Sequence, residues 1–228
     1  MRRRTIESMS DNEVIVNMTK CPQKQKTKQS EAVKNMRTIQ EQLNNLKIEV
    51  QNCKSCSLCE NRNKIVFSDG CDYAPVMFIG EAPGKNEDDT GIPFIGRAGQ
   101  LLRKFMFDVG FETNDFYIAN TVKCRPPENR KPTKEEKSAC FDFLNSQIEL
   151  INPKYIILVG ATALESFILD RKLSITKARG QIFEIGNRKF IPIFHPSYLL
   201  RYFNEYEGSP RDLFRKDLLM IKSLIKEV

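Results

Sequence analysis

Short runs of apolar residues alternate along this chain with longer stretches in which apolar residues recur at helical spacing. Three of the runs are bounded by turn-forming residues and predict buried parallel strands: Ala74–Ile79, Phe116–Asn120 and Tyr155–Val159. A hairpin is predicted from Gln181–Ile185 and Arg188–Phe194, with its second arm in the main sheet, and a short edge strand is predicted at Lys64–Phe67.

The longer stretches predict helices on both sides of these strands. Five are predicted: Ala32–Gln51, Arg97–Gly110, Thr133–Leu150, Ala161–Asp170 and Asp212–Lys226. In the third, Thr133 is followed by Glu136 at the spacing of a capping box, which marks the start of the helix. Strands that alternate with helices indicate an α/β fold in which a parallel sheet is covered on both faces.

Polar residues stand at the ends of three of the predicted strands. Glu81 follows the first strand, Asn120 ends the second, and His195 follows the second arm of the hairpin. Ligands of parallel α/β sheets bind beyond the carboxyl ends of the strands, so these three side chains are expected to meet in one crevice. His195 is the single histidine of the chain.

Size and charge narrow the possible functions. The 228 residues suffice for one α/β domain, and a net charge of +7 suits a polyanionic partner such as nucleic acid. Residues 1–31 are polar and rich in lysine and predict a disordered basic tail, which leaves 32–228 as the folded domain. No apolar run is long enough to cross a membrane and no secretory signal is recognisable, so we expect a cytoplasmic, nucleoid-associated protein that contacts no membrane.

The seven cysteines of the chain favour metal ligation over a disulfide framework, because their number is odd. Two residues separate Cys53 from Cys56, and fifteen separate Cys124 from Cys140. Four thiolates can bind either a tetrahedral zinc ion or a [4Fe–4S] cluster, and spacing alone does not choose between them. Cys59 competes with Cys56 as a ligand.

One continuous stretch carries a recognisable pattern. The segment 80–84 reads Gly-Glu-Ala-Pro-Gly, acidic residues follow at Glu87 and Asp88, and 93–102 reads Pro-Phe-Ile-Gly-Arg-Ala-Gly-Gln-Leu-Leu. With the later segments Val-Lys-Cys-Arg-Pro-Pro at 122–127 and His-Pro-Ser at 195–197, this pattern resembles the family 4 uracil-DNA glycosylases. A generic glycine-rich nucleotide-binding loop is the alternative, and it leaves the later segments unexplained.

The resemblance implies a fold and a cofactor. The fold is a three-layer α/β/α sandwich with a central, mainly parallel four-stranded sheet of the uracil-DNA glycosylase kind. The cofactor is a [4Fe–4S] cluster held by Cys53, Cys56, Cys124 and Cys140. Base excision needs no electron transfer, so a structural role is expected for the cluster, namely ordering the loop that carries Arg130 and Lys131.

The resemblance also implies a role for each residue of the site. His195 would donate a hydrogen bond to O2 of the leaving uracil, and Glu81 would orient the attacking water and stabilise positive charge on the sugar. Asn120 would read the base and Phe94 would stack on it. Backbone contacts to the base or a phosphate would come from Gly80, Ala82 and Gly84. Ser197 would bind a flanking phosphate, and Leu199 would insert into the gap left by the flipped base.

The function implied is hydrolysis of the N-glycosidic bond of uracil flipped out of DNA, the first step of base excision repair. The expected partner is uracil-containing DNA, single- or double-stranded. A monomer is expected, and a sliding clamp or another repair protein is a further candidate partner. Two alternatives stay open: a protein that binds or covalently traps uracil-DNA without turnover, and a non-catalytic metal-stabilised DNA-binding module.

Overall fold

The computed structural model of the chain describes residues 31–170 and 172–226. The predicted basic tail, residues 1–31, lies outside the described residues apart from Glu31. None of the described helices combines the length and the apolar character needed to cross a membrane.

A six-stranded sheet forms the centre of the fold. Its strands are β1 (Asp69–Gly70), β2 (Val76–Gly80), β3 (Phe116–Asn120), β4 (Tyr155–Val159), β5 (Phe183–Ile185) and β6 (Arg188–Ile193). Their order across the sheet is β1-β3-β2-β4-β6-β5, and the four central strands are parallel. The short strands β1 and β5 pair antiparallel at the two edges.

The predicted number of four strands is therefore wrong for the whole sheet, although it matches the parallel centre. The edge strand predicted at Lys64–Phe67 is also misplaced. In that segment Val66 N donates to Lys123 O, but the antiparallel edge pairing is made further along, by Asp69 and Gly70 with β3.

Eight α-helices are described around the sheet. They are α1 (Glu31–Asn52), α2 (Lys85–Thr90), α3 (Arg97–Asp108), α4 (Lys134–Ile151), α5 (Ala161–Phe167), α6 (Ile175–Ala178), α7 (Pro196–Leu199) and α8 (Pro210–Lys226). Short 3₁₀ turns occur at Ser57–Cys59 and Pro127–Asn129. The long helices match the predicted ones, whereas α2, α6 and α7 are too short to show a helical period.

Alternation along the strands divides the core into two layers. On β2, Met77 and Ile79 pack with α1, α4 and α5, whereas Val76 and Phe78 pack with α3 and α8. Side chains of a strand point alternately to opposite faces, so a fully buried β2 needs helices on both sides. The predicted three-layer α/β/α arrangement is confirmed. It places the carboxyl ends of all four parallel strands at one edge of the sheet.

Candidate active site

A cavity of about 320 Å³ lies at the carboxyl ends of the parallel strands. Glu81 comes from the end of β2, Asn120 from β3, and His195 from just beyond β6. All three line this cavity, as the strand-end argument predicts. Of the other predicted residues, Phe94, Ala82, Gly84 and Ser197 also line it.

Asn120 presents an amide to the cavity. Its residue is only 2% exposed, and its Oδ1 is buried without a hydrogen-bond partner among the described residues. A buried amide oxygen without a partner is costly, which suits an atom that waits for a ligand. A Cβ on Gly80 would overlap this oxygen and lie 2.5 Å from Phe94 Cζ. Gly80 therefore leaves room for the amide and the ring.

Phe94 occupies the cavity wall in a constrained conformation. Its backbone has φ 55°, which is unusual for an aromatic residue. Arg103 holds this turn, because its guanidinium donates to Pro93 O and Phe94 O, each at 3.1 Å. Arg103 is itself buried and paired with Asp69. The ring centroids of Phe94 and His195 lie 6.1 Å apart.

Glu87 ties the two glycine-containing loops together. Its buried carboxylate accepts from Gly84 N at 3.1 Å, from Ile95 N at 3.0 Å and from Gly96 N at 2.8 Å. These bonds fix the start of α2 and the approach to α3 relative to one another. Glu87 thus acts on the shape of the cavity through the backbone.

His195 is fixed by the turn that follows it. Ser197 N donates to His195 Nδ1 at 3.2 Å, and Ser197 Oγ lies 2.7 Å from the same nitrogen. Because Nδ1 accepts a hydrogen bond, the neutral ring carries its proton on Nε2. Burial lowers the pKa of His195, while the charges of Glu81 and Glu87 oppose that shift. The site therefore holds a neutral imidazole with an Nε2–H donor.

Glu81 is held by two threonines, which follow the strands on either side of β2. Thr162, which follows β4, donates from Oγ1 to Glu81 Oε2, and Thr121, which follows β3, donates to Glu81 O. Both threonines are buried. Glu81 also lines a second cavity of about 480 Å³, together with Lys131, His195 and other residues. It stands where the two cavities adjoin.

Leu199 does not fit its predicted role. Its side chain has no exposed area and packs in the core with α3 and α8. In α7 the chain turns at Pro196, which directs Leu199 inward while Ser197 and Tyr198 stay exposed. A leucine with no exposed surface is not placed to enter DNA in this conformation, and its insertion stays a prediction.

The predicted cysteines lie together at the segment that follows β3, residues 121–124, here called the Asn120 loop. Five thiols line one small cavity of about 20 Å³: Cys53, Cys56, Cys59, Cys124 and Cys140. Among the described residues, no group of three or more potential ligands is arranged to hold a single metal ion. Cys71, outside this group, is disulfide-bonded.

Two cations border the five thiols. Arg62 donates to Cys124 Sγ at 3.2 Å, and Lys123, which is 1% exposed, donates from Nζ to Asn120 O at 3.1 Å. Burial raises the pKa of the Cys124 thiol to about 11, an effect that Arg62 opposes. Burial also lowers the pKa of Lys123 to about 8. Lys123 thus connects the thiols to the backbone of Asn120.

In the loop that carries Arg130 and Lys131, which is predicted to bind phosphates, Arg130 already forms an ion pair within the protein. Arg130 forms two hydrogen bonds to Glu136, of 2.6 and 2.8 Å, although it also lines the first cavity. Lys131 lines the second cavity. This arrangement leaves Lys131 better placed than Arg130 to meet an anion.

Comparison with known proteins decides the family. The family model of the Uracil DNA glycosylase superfamily matches residues 67–219. The chain belongs to the uracil-DNA glycosylase superfamily. The matched span includes every strand of the sheet and all residues of the cavity described above.

Several relatives are similar over most of their length. A type-4 uracil-DNA glycosylase of Thermotoga maritima is 45% identical over 193 residues, which cover 84% of this chain and 99% of that protein. One of Sulfurisphaera tokodaii is 37% identical, covering 80% of this chain and 84% of that protein. One of Archaeoglobus fulgidus is 35% identical, covering 81% and 94%.

Sequence reasoning missed the residues that hold the site in shape, namely Thr162, Glu87 and Arg103. Glu87 had a signal, because it stands three residues after Gly84, and its carboxylate accepts from Gly84 N at the start of α2 as the glutamate of a capping box does. Thr162 acts on Glu81, 81 residues away, and Arg103 acts on Phe94, nine residues away. Neither separation is one at which a helical or strand pattern links two residues.

Proposed function

We propose that this member of the uracil-DNA glycosylase superfamily flips uracil out of DNA and hydrolyses its N-glycosidic bond. The observation that carries the proposal is the convergence, in one cavity, of a neutral imidazole, a carboxylate and an amide whose oxygen has no partner among the described residues. The imidazole can donate a hydrogen bond to the leaving base, the amide can form hydrogen bonds with the edge of that base, and the carboxylate can stabilise positive charge on the sugar. The names and the extent of the similar relatives support the same activity.

Base selection is assigned to Asn120 and Phe94. Uracil offers an acceptor at O4 and a donor at N3, which the amide Nδ2 and Oδ1 of Asn120 can satisfy together. Flipping costs a few kcal/mol, and stacking on Phe94 together with these hydrogen bonds offsets it. Because the Phe94 turn is held by Arg103, little further ordering is needed on binding.

Bond cleavage is assigned to His195 and Glu81. As the bond breaks, negative charge develops on the base and positive charge on the sugar. His195 Nε2–H can donate to O2 without itself carrying charge, which leaves the carboxylate of Glu81 as the negative group near the sugar. Glu81 then orients the attacking water and Thr162 holds its second oxygen.

The cofactor in this proposal is a [4Fe–4S] cluster on Cys53, Cys56, Cys124 and Cys140. The donor set suits it, because all four thiols share a cavity and a guanidinium N–H already meets Cys124 Sγ. When bound, the cluster would tie together the segment after α1, the Asn120 loop and α4. Cys59 lines the same cavity and is the competing ligand.

Turnover is favoured over covalent trapping of the substrate. Trapping proteins of this kind rely on a further histidine in the loop after the third cluster cysteine, whereas this chain has His195 alone. The non-catalytic alternative gives no account of a neutral histidine, a carboxylate and the Asn120 amide in one cavity. We expect the protein to act on uracil-containing DNA as a monomer in the cytoplasm.

A single assay separates these possibilities. The full-length protein is mixed with an oligonucleotide containing one uracil, and free uracil and protein–DNA adducts are both quantified. Many uracils released per protein, with no adduct resistant to denaturation, is the expected result. One adduct per protein would establish trapping, and tight binding with no release would establish a non-catalytic module.

A further inference from the structure

A group of exposed aromatic side chains lies directly after the His-Pro-Ser turn. Tyr198, Tyr202 and Phe203, here called the aromatic surface, are 37%, 39% and 81% exposed. Large aromatic side chains are seldom left in water together without a partner. The role predicted for Leu199 does not explain them, since Leu199 is in the core.

This aromatic surface is continuous with the candidate active site. Tyr198 lines the second cavity together with Glu81 and His195. Its ring lies 5.1 Å from that of Phe194 and 4.9 Å from that of Tyr202, measured between centroids. A row of rings therefore leads from the cavity wall to the solvent.

The surface is built on an anchored segment. Arg201 N donates to Tyr198 O and Tyr202 N donates to Leu199 O, which extends the turn of α7, and buried Leu199 holds this turn to the core. The chain beyond Phe203 is held to α8, because Glu205 pairs with Arg215 at 2.6 Å and with Arg211 at 3.6 Å. These pairs also compensate a carboxylate that would repel a polyanion.

We propose that the aromatic surface stacks on unpaired bases of the uracil-containing strand that neighbour the flipped nucleotide. This inference rests on the proposed function. Aromatic rings stack on any base because every base has a π face, so such contacts are tolerant of sequence. The bases next to an extruded nucleotide have lost a stacking neighbour, and rings placed beside the cavity can replace it.

The test uses binding, so it is independent of catalysis. The probes are single-stranded oligonucleotides carrying 2′-fluoro-deoxyuridine, which resists cleavage, with either a normal nucleotide or an abasic site on each side of it. Fluorescence anisotropy measures Kd for the full-length protein and for Tyr202→Ala and Phe203→Ala. Leu169→Ala is the control, since Leu169 is 88% exposed and lines neither cavity of the site.

The protein is expected to lose at least fivefold in affinity when a neighbouring base is missing. Phe203→Ala should bind the normal probe at least fivefold more weakly than the unchanged protein does. Its affinity should fall little further when the probe is abasic. Phe203→Trp should restore the sensitivity, and Leu169→Ala should behave as the unchanged protein. The inference would be overturned if replacing the normal probe by an abasic probe lowered the affinity of the unchanged protein and of both alanine variants by the same factor. Absence of uracil release by the unchanged protein would instead contradict the proposed function.

Discussion

Thr162 Oγ1, near the start of α5, donates a hydrogen bond to Glu81 Oε2, just beyond the end of β2. The threonine is buried and its hydroxyl reaches the carboxylate from the side opposite to Thr121, which binds the backbone of the same residue. One carboxylate oxygen is therefore occupied by the protein. The other is left for water or the sugar, and the orientation of Glu81 does not depend on substrate.

Replacement of Thr162 tests this orientation. Thr162→Val keeps the shape but removes the hydroxyl, and we expect the single-turnover rate of uracil release to fall on the order of tenfold, the scale of a lost hydrogen bond to a charged group. Thr162→Ser should retain most of the rate. Affinity for uncleavable uracil-DNA should change little in either variant. A rate in Thr162→Val equal to that of the unchanged protein would show that Glu81 needs no such support.

The pH dependence of the rate tests the state of His195. Burial lowers the pKa of His195, so the neutral ring persists to lower pH than that of an ordinary histidine. The single-turnover rate should stay level through neutral pH and fall only in the acid range, below the usual histidine value, as the ring gains a proton. His195→Ala should lower the plateau by about 100-fold. A decline in the unchanged protein at or above the usual histidine range would contradict a neutral ring.

Base choice at Asn120 can be altered by one atom. In Asn120→Asp a carboxylate oxygen faces O4 of uracil, so uracil release should fall by a factor corresponding to about 1–3 kcal/mol. The same oxygen can accept from the amino group of cytosine, and a protonated Asp can donate to N3. Weak cytosine release should therefore appear and rise as pH falls. Release of each base from matched oligonucleotides measures this, and unchanged uracil excision would show that Asn120 does not read the base.

The contact of Gly80 with Asn120 and Phe94 predicts a steric effect. A methyl group at Gly80 would overlap Asn120 Oδ1 and the Phe94 ring, so Gly80→Ala should reduce uracil release by on the order of 100-fold. Gly110→Ala is the control, because no neighbouring atom of the part of the chain that the structure describes lies within 4 Å of its added Cβ, although its φ of +87° carries strain. That variant should lose about 1 kcal/mol of stability and keep its activity. Full activity in Gly80→Ala would place the base elsewhere.

Iron content distinguishes the cysteine ligands. Anaerobically purified protein should contain about four irons per chain. Cys124→Ala and Cys140→Ala should lose iron and thermal stability together, whereas Cys59→Ala should keep both. If Cys56→Ala keeps its iron and Cys59→Ala loses it, then Cys59 is the cluster ligand and Cys56 is not. Zinc in fully active, colourless protein would contradict the iron cluster.

The strand ends explain why Glu81, Asn120 and His195 were predictable. A buried strand followed by a polar residue is a local signal, and the parallel arrangement then brings such residues to one edge. The edge strand β1 was harder, since its two residues are too few to show a period. The other edge strand, β5, has only three residues but was predicted as the first arm of the hairpin. For Leu199 the position in the sequence was informative but the direction of the side chain was not. Its place after His-Pro-Ser was clear, but only the path of α7 shows which side chain turns inward.

Two of the supporting residues, Arg103 and Thr162, were not predictable, because no helical or strand period links them to their partners. Arg103 acts from α3 on the Phe94 turn through a buried guanidinium, and Thr162 acts from α5 on Glu81. Neither residue type nor spacing distinguishes them from ordinary helix or turn residues. Such pairings depend on how helices and loops pack against one another, which the order of residues along one element does not contain.

The distribution of the site over four parallel strands has a consequence for how the protein folds. Glu81, Asn120, Thr162 and His195 become neighbours only after β2, β3, β4 and β6 have paired in register. Parallel pairings close long loops and are slow to form, whereas helices form quickly from local contacts. During refolding, helical structure should therefore return before uracil release does, and any chain arrested before β6 docks would be compact but inactive.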